Sequence, residues 1–134
     1  MNAPGLARAA AAVLALEGTT LVVIALIQTL GLGSGGAANI ATAVALIVLT
    51  LIGAAALIAF AVGVVRGQSW ARSGGVVLQV LAVALALAAL TLQPVSWPFV
   101  LGVGGPGILG FVLLIASARR EIEADEPSAD RDEA

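Results

Sequence analysis

The sequence contains no cysteine, histidine, lysine or tyrosine, and only 10% of its 134 residues are charged. Without cysteine and histidine, the chain has no disulfides, no thiolate chemistry, no histidine ligation of haem and none of the usual zinc sites. We therefore expect neither a metal nor a cofactor. Soluble domains carry about 25% charged residues, so this composition points to a membrane protein.

Charge is nearly absent from two long stretches. Between Ala9 and Val65 the one charged residue is Glu17, and between Ser73 and Ala118 there is none. A helix needs about 20 apolar residues to cross the roughly 30 Å core of a bilayer. Each stretch has room for two crossings, so the sequence predicts an all-α, transmembrane four-helix bundle within residues 1–118.

Glycine, serine and proline mark the breaks between the predicted spans. Asn39 is suited to cap the second helix. Arg8 and the apolar run after it have some features of a signal peptide, but Glu17 interrupts the run and the apolar stretch continues well past it. We interpret this segment as the first of four spans, at about 6–32, 39–65, 70–92 and 99–118.

The arginines predict the orientation. Arg8, Arg66, Arg72, Arg119 and Arg120 all flank one side of the four spans, and the first and third loops hold no basic residue. Basic residues stay in the cytoplasm, so both termini are expected inside, in a bacterial plasma membrane. Arg66 and Arg72 then fix the second loop at the inner interface.

Two tryptophans and the C-terminal segment complete this layout. Trp70 and Trp97 fall at opposite interfaces, where we expect them to anchor the bundle, with ligand contact as the alternative. Residues 119–134 carry seven acidic residues against three arginines, a net charge of −4. Such a segment cannot bury a core and predicts a disordered cytoplasmic tail, either simply solvated or binding a partner.

Small residues at helical spacing predict the packing faces, because helices associate in lipid through close backbone contact and polar pairs. They pack within the bundle or between copies of the chain. The fourth span contains Pro106 in a glycine-rich run, which predicts a kink; the freed carbonyls either bind ions or are satisfied by neighbours. The predicted packing residues are Gly75, Ala82, Ala86 and Ala89 in the third span and Ala55, Ala59 and Gly63 in the second.

Glu17 is the one candidate for chemistry inside the membrane. It lies nine residues from Arg8, about 13 Å along a helix, where an acid costs about 3 kcal/mol to insert. Thr20 and Gln28 lie near its face, and Gln79 on the third span, at similar depth, is the expected hydrogen-bond partner. These four residues form a candidate proton or cation site; the alternative is a carboxyl group that only bridges helices.

Four spans with one glutamate in the first resemble the small multidrug resistance family. The run 17–20 (Glu-Gly-Thr-Thr) is similar to that family's first helix, and 102–104 (Gly-Val-Gly) to its glycine-rich third helix. The resemblance implies a dimeric, proton-coupled exporter of cationic compounds. This chain departs from it, because it has no tyrosine, no tryptophan within the bundle, and its glycine-rich run in the fourth span.

The connection 66–72 (Arg-Gly-Gln-Ser-Trp-Ala-Arg) is similar to a turn between the second and third spans of small, uncharacterised actinobacterial membrane proteins. That resemblance implies a fold and a location but no activity. The sequence offers no nucleophile with a base and no pair of carboxylates, so we expect a structural or accessory membrane component and no enzyme. Its expected partners are the lipid bilayer and either further copies of the chain or another membrane protein, not nucleic acid.

Overall fold

The computed structural model describes the backbone of residues 3–35 and 38–132 and the side chains of 4–35 and 38–124. The described chain forms four helices, which confirms the predicted all-α fold. Each is long and apolar enough to cross a membrane. The helices are α1 (Ala3–Leu32), α2 (Ile40–Val65), α3 (Ser69–Ala89) and α4 (Trp97–Asp132).

Local sequence explains where α2 begins and ends. Asn39 caps its N-terminus as predicted, with the side-chain oxygen accepting a hydrogen bond from the Thr42 N–H at 3.1 Å. At the other end, Gly67 adopts a φ of 72°, and the N–H of Gln68 donates to the carbonyl of Gly63 at 2.9 Å. This is a Schellman termination, which needs a left-handed residue and favours glycine.

The third helix is shorter than the predicted span, which extended to Leu92. It ends at Ala89, and the N–H groups of Leu90, Thr91 and Leu92 donate to carbonyls three residues earlier. The chain tightens into turns here because Pro94 disfavours a helical conformation in the residue before it. At 21 residues, α3 is about 31 Å long, which still matches the bilayer core.

The fourth helix is longer than predicted. It continues past Ala118 to Asp132, so the acidic segment is helical over residues where the sequence indicated a disordered tail. Its first residues, 119–124, are mostly Arg, Glu and Ala, which are good helix formers, and a contact with α3 that is described below adds to this local preference. The helix also continues through Pro106, which removes the N–H that would bond the carbonyl of Gly102.

The helices pair as two antiparallel hairpins, α1 with α2 and α3 with α4. Gly18 fits against α2, where an added Cβ would lie 2.8 Å from a side-chain carbon of Ile58. In the other hairpin, a Cβ at Gly104 would lie 2.9 Å from Ala86, and one at Gly107 would lie 3.2 Å from Ala82. Glycine therefore permits the close approach of the helices in both hairpins.

The two hairpins pack against each other at the end of the bundle that holds the second loop. Gly75 of α3 lies against Leu114 of α4 and Leu14 of α1. The ring of Phe60 of α2 packs against that of Trp70 of α3 in a tilted arrangement, with ring centroids 5.6 Å apart. The hydrophobic core lies in this half and comprises Ala7, Ala10, Ala11, Leu14, Leu57, Ala61, Val64, Ala71 and Leu114.

The other half of the bundle is loosely packed. Between residues 22 and 30 of α1, Ala25 is buried and every other residue is exposed, and between 40 and 53 of α2 only Ile47 is buried. In α3 and α4 the buried residues of this half are Ala86, Ala89 and two glycines of the α3–α4 contact. Each helix thus touches its hairpin mate, and the burial pattern leaves the hairpins apart. We call this region the open half.

The predicted packing face is correct for α3 but misplaced on α2. Gly75, Ala86 and Ala89 are buried and Ala82 is partly buried, facing α4. On α2, Gly63 is buried, but Ala55 and Ala59 are exposed. Apart from Gly63, the α2 contact face lies on a different side of the helix from the predicted one, and the larger side chains of Leu57 and Val64 enter the core there. The buried residues of α2 are Ile47, Ala54, Leu57, Ala61, Gly63 and Val64.

Candidate functional site

Glu17 and Gln79 are joined by a hydrogen bond, as their depth in the sequence predicted. The Nε2 group of Gln79 donates to Oε2 of Glu17 at 2.9 Å. Glu17 belongs to α1 and Gln79 to α3, so the bond connects the two hairpins. The bond lies at the boundary between the packed core and the open half. Glu17, the one acidic residue of the predicted spans, is thus beside the side-chain amide of Gln79.

Gly110 of α4 makes this contact possible. A Cβ added at Gly110 would lie 2.5 Å from Nε2 and 2.8 Å from Cδ of Gln79. The side chain of Gln79 therefore passes directly over the bare backbone of α4 on its way to Glu17. In the sequence, Gly110 belongs to the glycine-rich segment that is predicted to be kinked at Pro106. The sequence signal for its contact with α3 is the spacing of three between Gly104, Gly107 and Gly110, which places all three toward α3.

The pair is unequally buried and incompletely hydrogen-bonded. Gln79 is 1% exposed, and its Oε1 atom has no hydrogen-bond partner in the part of the chain that the structure describes. Glu17 is partly exposed. A buried polar atom without a partner costs free energy, so one acceptor of Gln79 is left unsatisfied, while the carboxyl group of Glu17 remains partly accessible.

The structure does not bring the other two predicted members, Thr20 and Gln28, into this pair. The hydroxyl group of Thr20 donates to the carbonyl of Leu16 in its own helix at 2.8 Å. Gln28 is exposed and lies eleven residues beyond Glu17, about 16 Å along α1. The proton or cation role of the four residues stays a prediction; the geometry joins two of them.

Gln28 instead lines a separate cavity near the first loop. This cavity lies between the end of α1 and the beginning of α2, and its wall is mostly apolar. Its lining residues are Gln28, Gly31, Leu32, Ser34, Ala43, Leu46 and Ile47. Its lining includes neither Glu17 nor Gln79, so this cavity is separate from the polar contact between the hairpins.

The predicted interface residues lie at the ends of helices. Trp70 and Trp97 are both exposed, at the beginnings of α3 and α4 and therefore at opposite ends of the bundle. Arg66 is exposed after α2. These positions suit the anchoring that we predict for them.

Arg72 has a partner that the sequence analysis missed. Its guanidinium group forms a two-pronged ion pair with Glu121 of α4, in which Nη2 donates to Oε1 at 2.6 Å and Nη1 donates to Oε2. The side chains are 16% and 42% exposed. This ion pair fixes the beginning of α3 to the part of α4 that follows the predicted membrane boundary, and it explains in part why that segment is helical.

The pair combines one carboxyl group with one side-chain amide. Within the described residues, no group of three or more acidic, histidine or cysteine side chains is placed to hold a metal ion. Comparison of the chain with protein-family models, with curated proteins and with solved structures finds no match. The functional argument therefore depends on the geometry of the bundle.

Proposed function

We propose that this protein is a multi-pass component of a bacterial plasma membrane with no enzymatic activity, acting as a structural or accessory subunit. Both termini are placed in the cytoplasm by the five arginines at one side of the spans. The resemblance of residues 66–72 to a turn of actinobacterial membrane proteins supports the location. The four apolar helices support the multi-pass membrane location.

The observation that carries the proposal is the hydrogen bond from Gln79 to Glu17. Polar side chains inside a bilayer hold helices together, because the alternative is an unsatisfied group in hydrocarbon. Here the bond connects two hairpins exactly where their apolar contact ends. An acid used in this way contributes to assembly of the bundle. The other charged residues of the predicted spans, Arg8 and Arg72, lie near the span ends, so no second charged group lies at mid-span to relay a proton.

A second function, proton-coupled export of cationic compounds, is favoured by one specific feature. Glu17 is partly exposed at mid-depth, and an ionisable residue there is by default a functional-site hypothesis. A transporter also needs the site to open alternately to both sides of the membrane. In this structure the contacts around Leu14 and Leu114 separate Glu17 from the end of the bundle that holds the second loop.

Transport by reconstituted protein distinguishes the two functions. Proteoliposomes with an imposed pH gradient are loaded with a fluorescent lipophilic cation, and efflux is compared among the wild type, Glu17→Gln and empty liposomes. As an accessory component, the wild type shows the same efflux as empty liposomes. Efflux that depends on the pH gradient and disappears in Glu17→Gln contradicts the accessory function and establishes the exporter.

A further inference from the structure

Glu17 is partly exposed and lies at the boundary of the open half. Continuing its face along α1, Ile24 and Gln28 follow at seven and eleven residues, and both are exposed. On the packed side of the pair, Leu14 and Leu114 are both buried. A group that reaches the carboxyl group of Glu17 therefore approaches from between the hairpins, along apolar helix surface.

Charge selects what that group is. The pair presents the partly exposed carboxyl group of Glu17, an acceptor beside the buried and unpartnered Oε1 of Gln79, so its complement carries N–H donors and a positive charge. A carboxylate and a cation that are each costly in hydrocarbon neutralise one another when paired, and ionisable residues within membranes pair in this way. The complement is thus a basic group at mid-membrane depth.

Shape selects the size of the occupant. Sites for small molecules are concave and bury about 70–90% of the ligand surface, and the cavity at the first loop does not include Glu17. The open half instead presents exposed helix faces from residue 22 to residue 30 of α1, about 12 Å of helix length. An extended apolar occupant with one basic group fits this surface, which describes a transmembrane helix.

A second copy of the chain does not supply the basic group. Between Arg8 and Arg66, and again between Arg72 and Arg119, the sequence contains no arginine or lysine. Two copies that met at this surface would place one Glu17 near another. The missing charge has to come from a different polypeptide.

We infer that the open half binds a transmembrane helix of a partner protein, through a lysine or arginine in the middle of that helix that pairs with Glu17. The inference rests on the proposed accessory function and names its partner by chemistry. Three features carry it together: the accessible carboxyl group, the buried unpartnered amide oxygen, and the unpaired apolar faces on either side of them.

Synthetic transmembrane peptides test the inference. Two 25-residue leucine–alanine helices with identical ends differ in one central residue, lysine or leucine. Binding to the full-length protein in lipid nanodiscs is measured as energy transfer from a dye on the peptide to a dye on Ser96→Cys. The protein has no other cysteine, so only this position is labelled. We expect the lysine peptide to bind the wild type about tenfold more tightly than the leucine peptide, and Glu17→Leu to remove this preference.

Controls make each outcome decisive. Thr20→Leu changes a neighbouring exposed residue on the same helix and is expected to keep the lysine preference, and circular dichroism verifies the helicity of every variant. Equal binding of both peptides to the wild type overturns the inference, as does a preference that survives Glu17→Leu. If dodecylammonium binds in a Glu17-dependent way and the two peptides bind equally, the inference is overturned in favour of a small-molecule site. If the protein self-associates in a Glu17-dependent way, the inference is overturned in favour of a second copy.

Failure of this inference is distinguishable from failure of the proposed function. If the peptides are not discriminated and the proteoliposomes show no Glu17-dependent efflux, the accessory function stands and the named partner is wrong. If Glu17-dependent efflux is present, the accessory function itself is wrong, whatever the peptides show.

Discussion

Gly110 of α4 lies directly beneath the side-chain amide of Gln79 on α3, so closely that a methyl group at Gly110 would lie 2.5 Å from Nε2. The hydrogen bond between the hairpins therefore involves three helices, although only two of them supply its donor and acceptor. A side chain that fills the space at Gly110 is therefore expected to disrupt the same hydrogen bond as a substitution that removes the amide of Gln79.

Gly110→Ala is expected to destabilise the protein, because the added methyl group displaces Gln79. Overpacking of this kind lowers the free energy of unfolding by about 1–3 kcal/mol. Gly102→Ala is the matched control in the same helix, since a Cβ there has no heavy atom of a packing neighbour within 4 Å, and alanine favours the helix by about 0.5–1 kcal/mol. Unfolding in mixed detergent micelles measures both. Equal effects of the two substitutions contradict the predicted contact.

The observed contact face of α2 predicts different effects at neighbouring alanines. Ala54 is 1% exposed and Ala55 is exposed. Ala54→Leu is expected to lower the free energy of unfolding by about 1–3 kcal/mol, and Ala55→Leu is expected to change it by less than about 0.5 kcal/mol. The same unfolding measurement checks both, and a larger loss from Ala55→Leu restores the face that the sequence indicated.

The ion pair between Arg72 and Glu121 is expected to hold the extended part of α4 in place. Because Glu121 is 42% exposed, solvent screens the pair, and its loss costs about 1 kcal/mol or less. Glu121→Gln is expected to speed amide hydrogen exchange at residues 119–124, with a smaller effect at high salt. Glu123→Gln, two residues away on an exposed side chain, is the control. Unchanged exchange in Glu121→Gln shows that the helix does not need the pair.

Labelling of single cysteines tests the predicted orientation, and the chain is suited to it because it contains no cysteine. Exposed serines lie near each loop: Ser34 by the first, Ser69 by the second and Ser96 by the third. With cytoplasmic termini, an impermeant maleimide labels Ser34→Cys and Ser96→Cys on intact cells, and labels Ser69→Cys only after permeabilisation. The reverse pattern means that the arginines face outward.

The number, type and approximate bounds of the helices could be predicted because hydropathy reports directly on what crosses a bilayer. The contact between Glu17 and Gln79 was also predictable, since polar residues are rare enough in these spans for depth to pair them. The contact face of α2 was not. Small residues occupy so many of its positions that several helix faces match the packing pattern, and the choice depends on how Leu57 and Val64 fill the core.

Two further features escaped prediction because they depend on contacts far apart in the chain. The acidic composition after Ala118 indicates disorder when it is read alone, and the pairing of Glu121 with Arg72 across 49 residues is invisible to composition. The open half is likewise a property of how two hairpins meet. Each helix in it has a plausible apolar face in the sequence, but only the burial pattern shows which faces are left without a neighbour.

The central claim, that Glu17 and Gln79 hold the two hairpins together, is tested most directly by a double-mutant cycle. The free energy of unfolding is measured for the wild type, Glu17→Leu, Gln79→Leu and the double variant, with Val80→Leu as the control because Val80 is 51% exposed. We predict a coupling energy of about 1 kcal/mol between the two positions and a change of less than about 0.5 kcal/mol for the control. Additive losses, or a loss from Gln79→Leu no larger than that from Val80→Leu, contradict the claim.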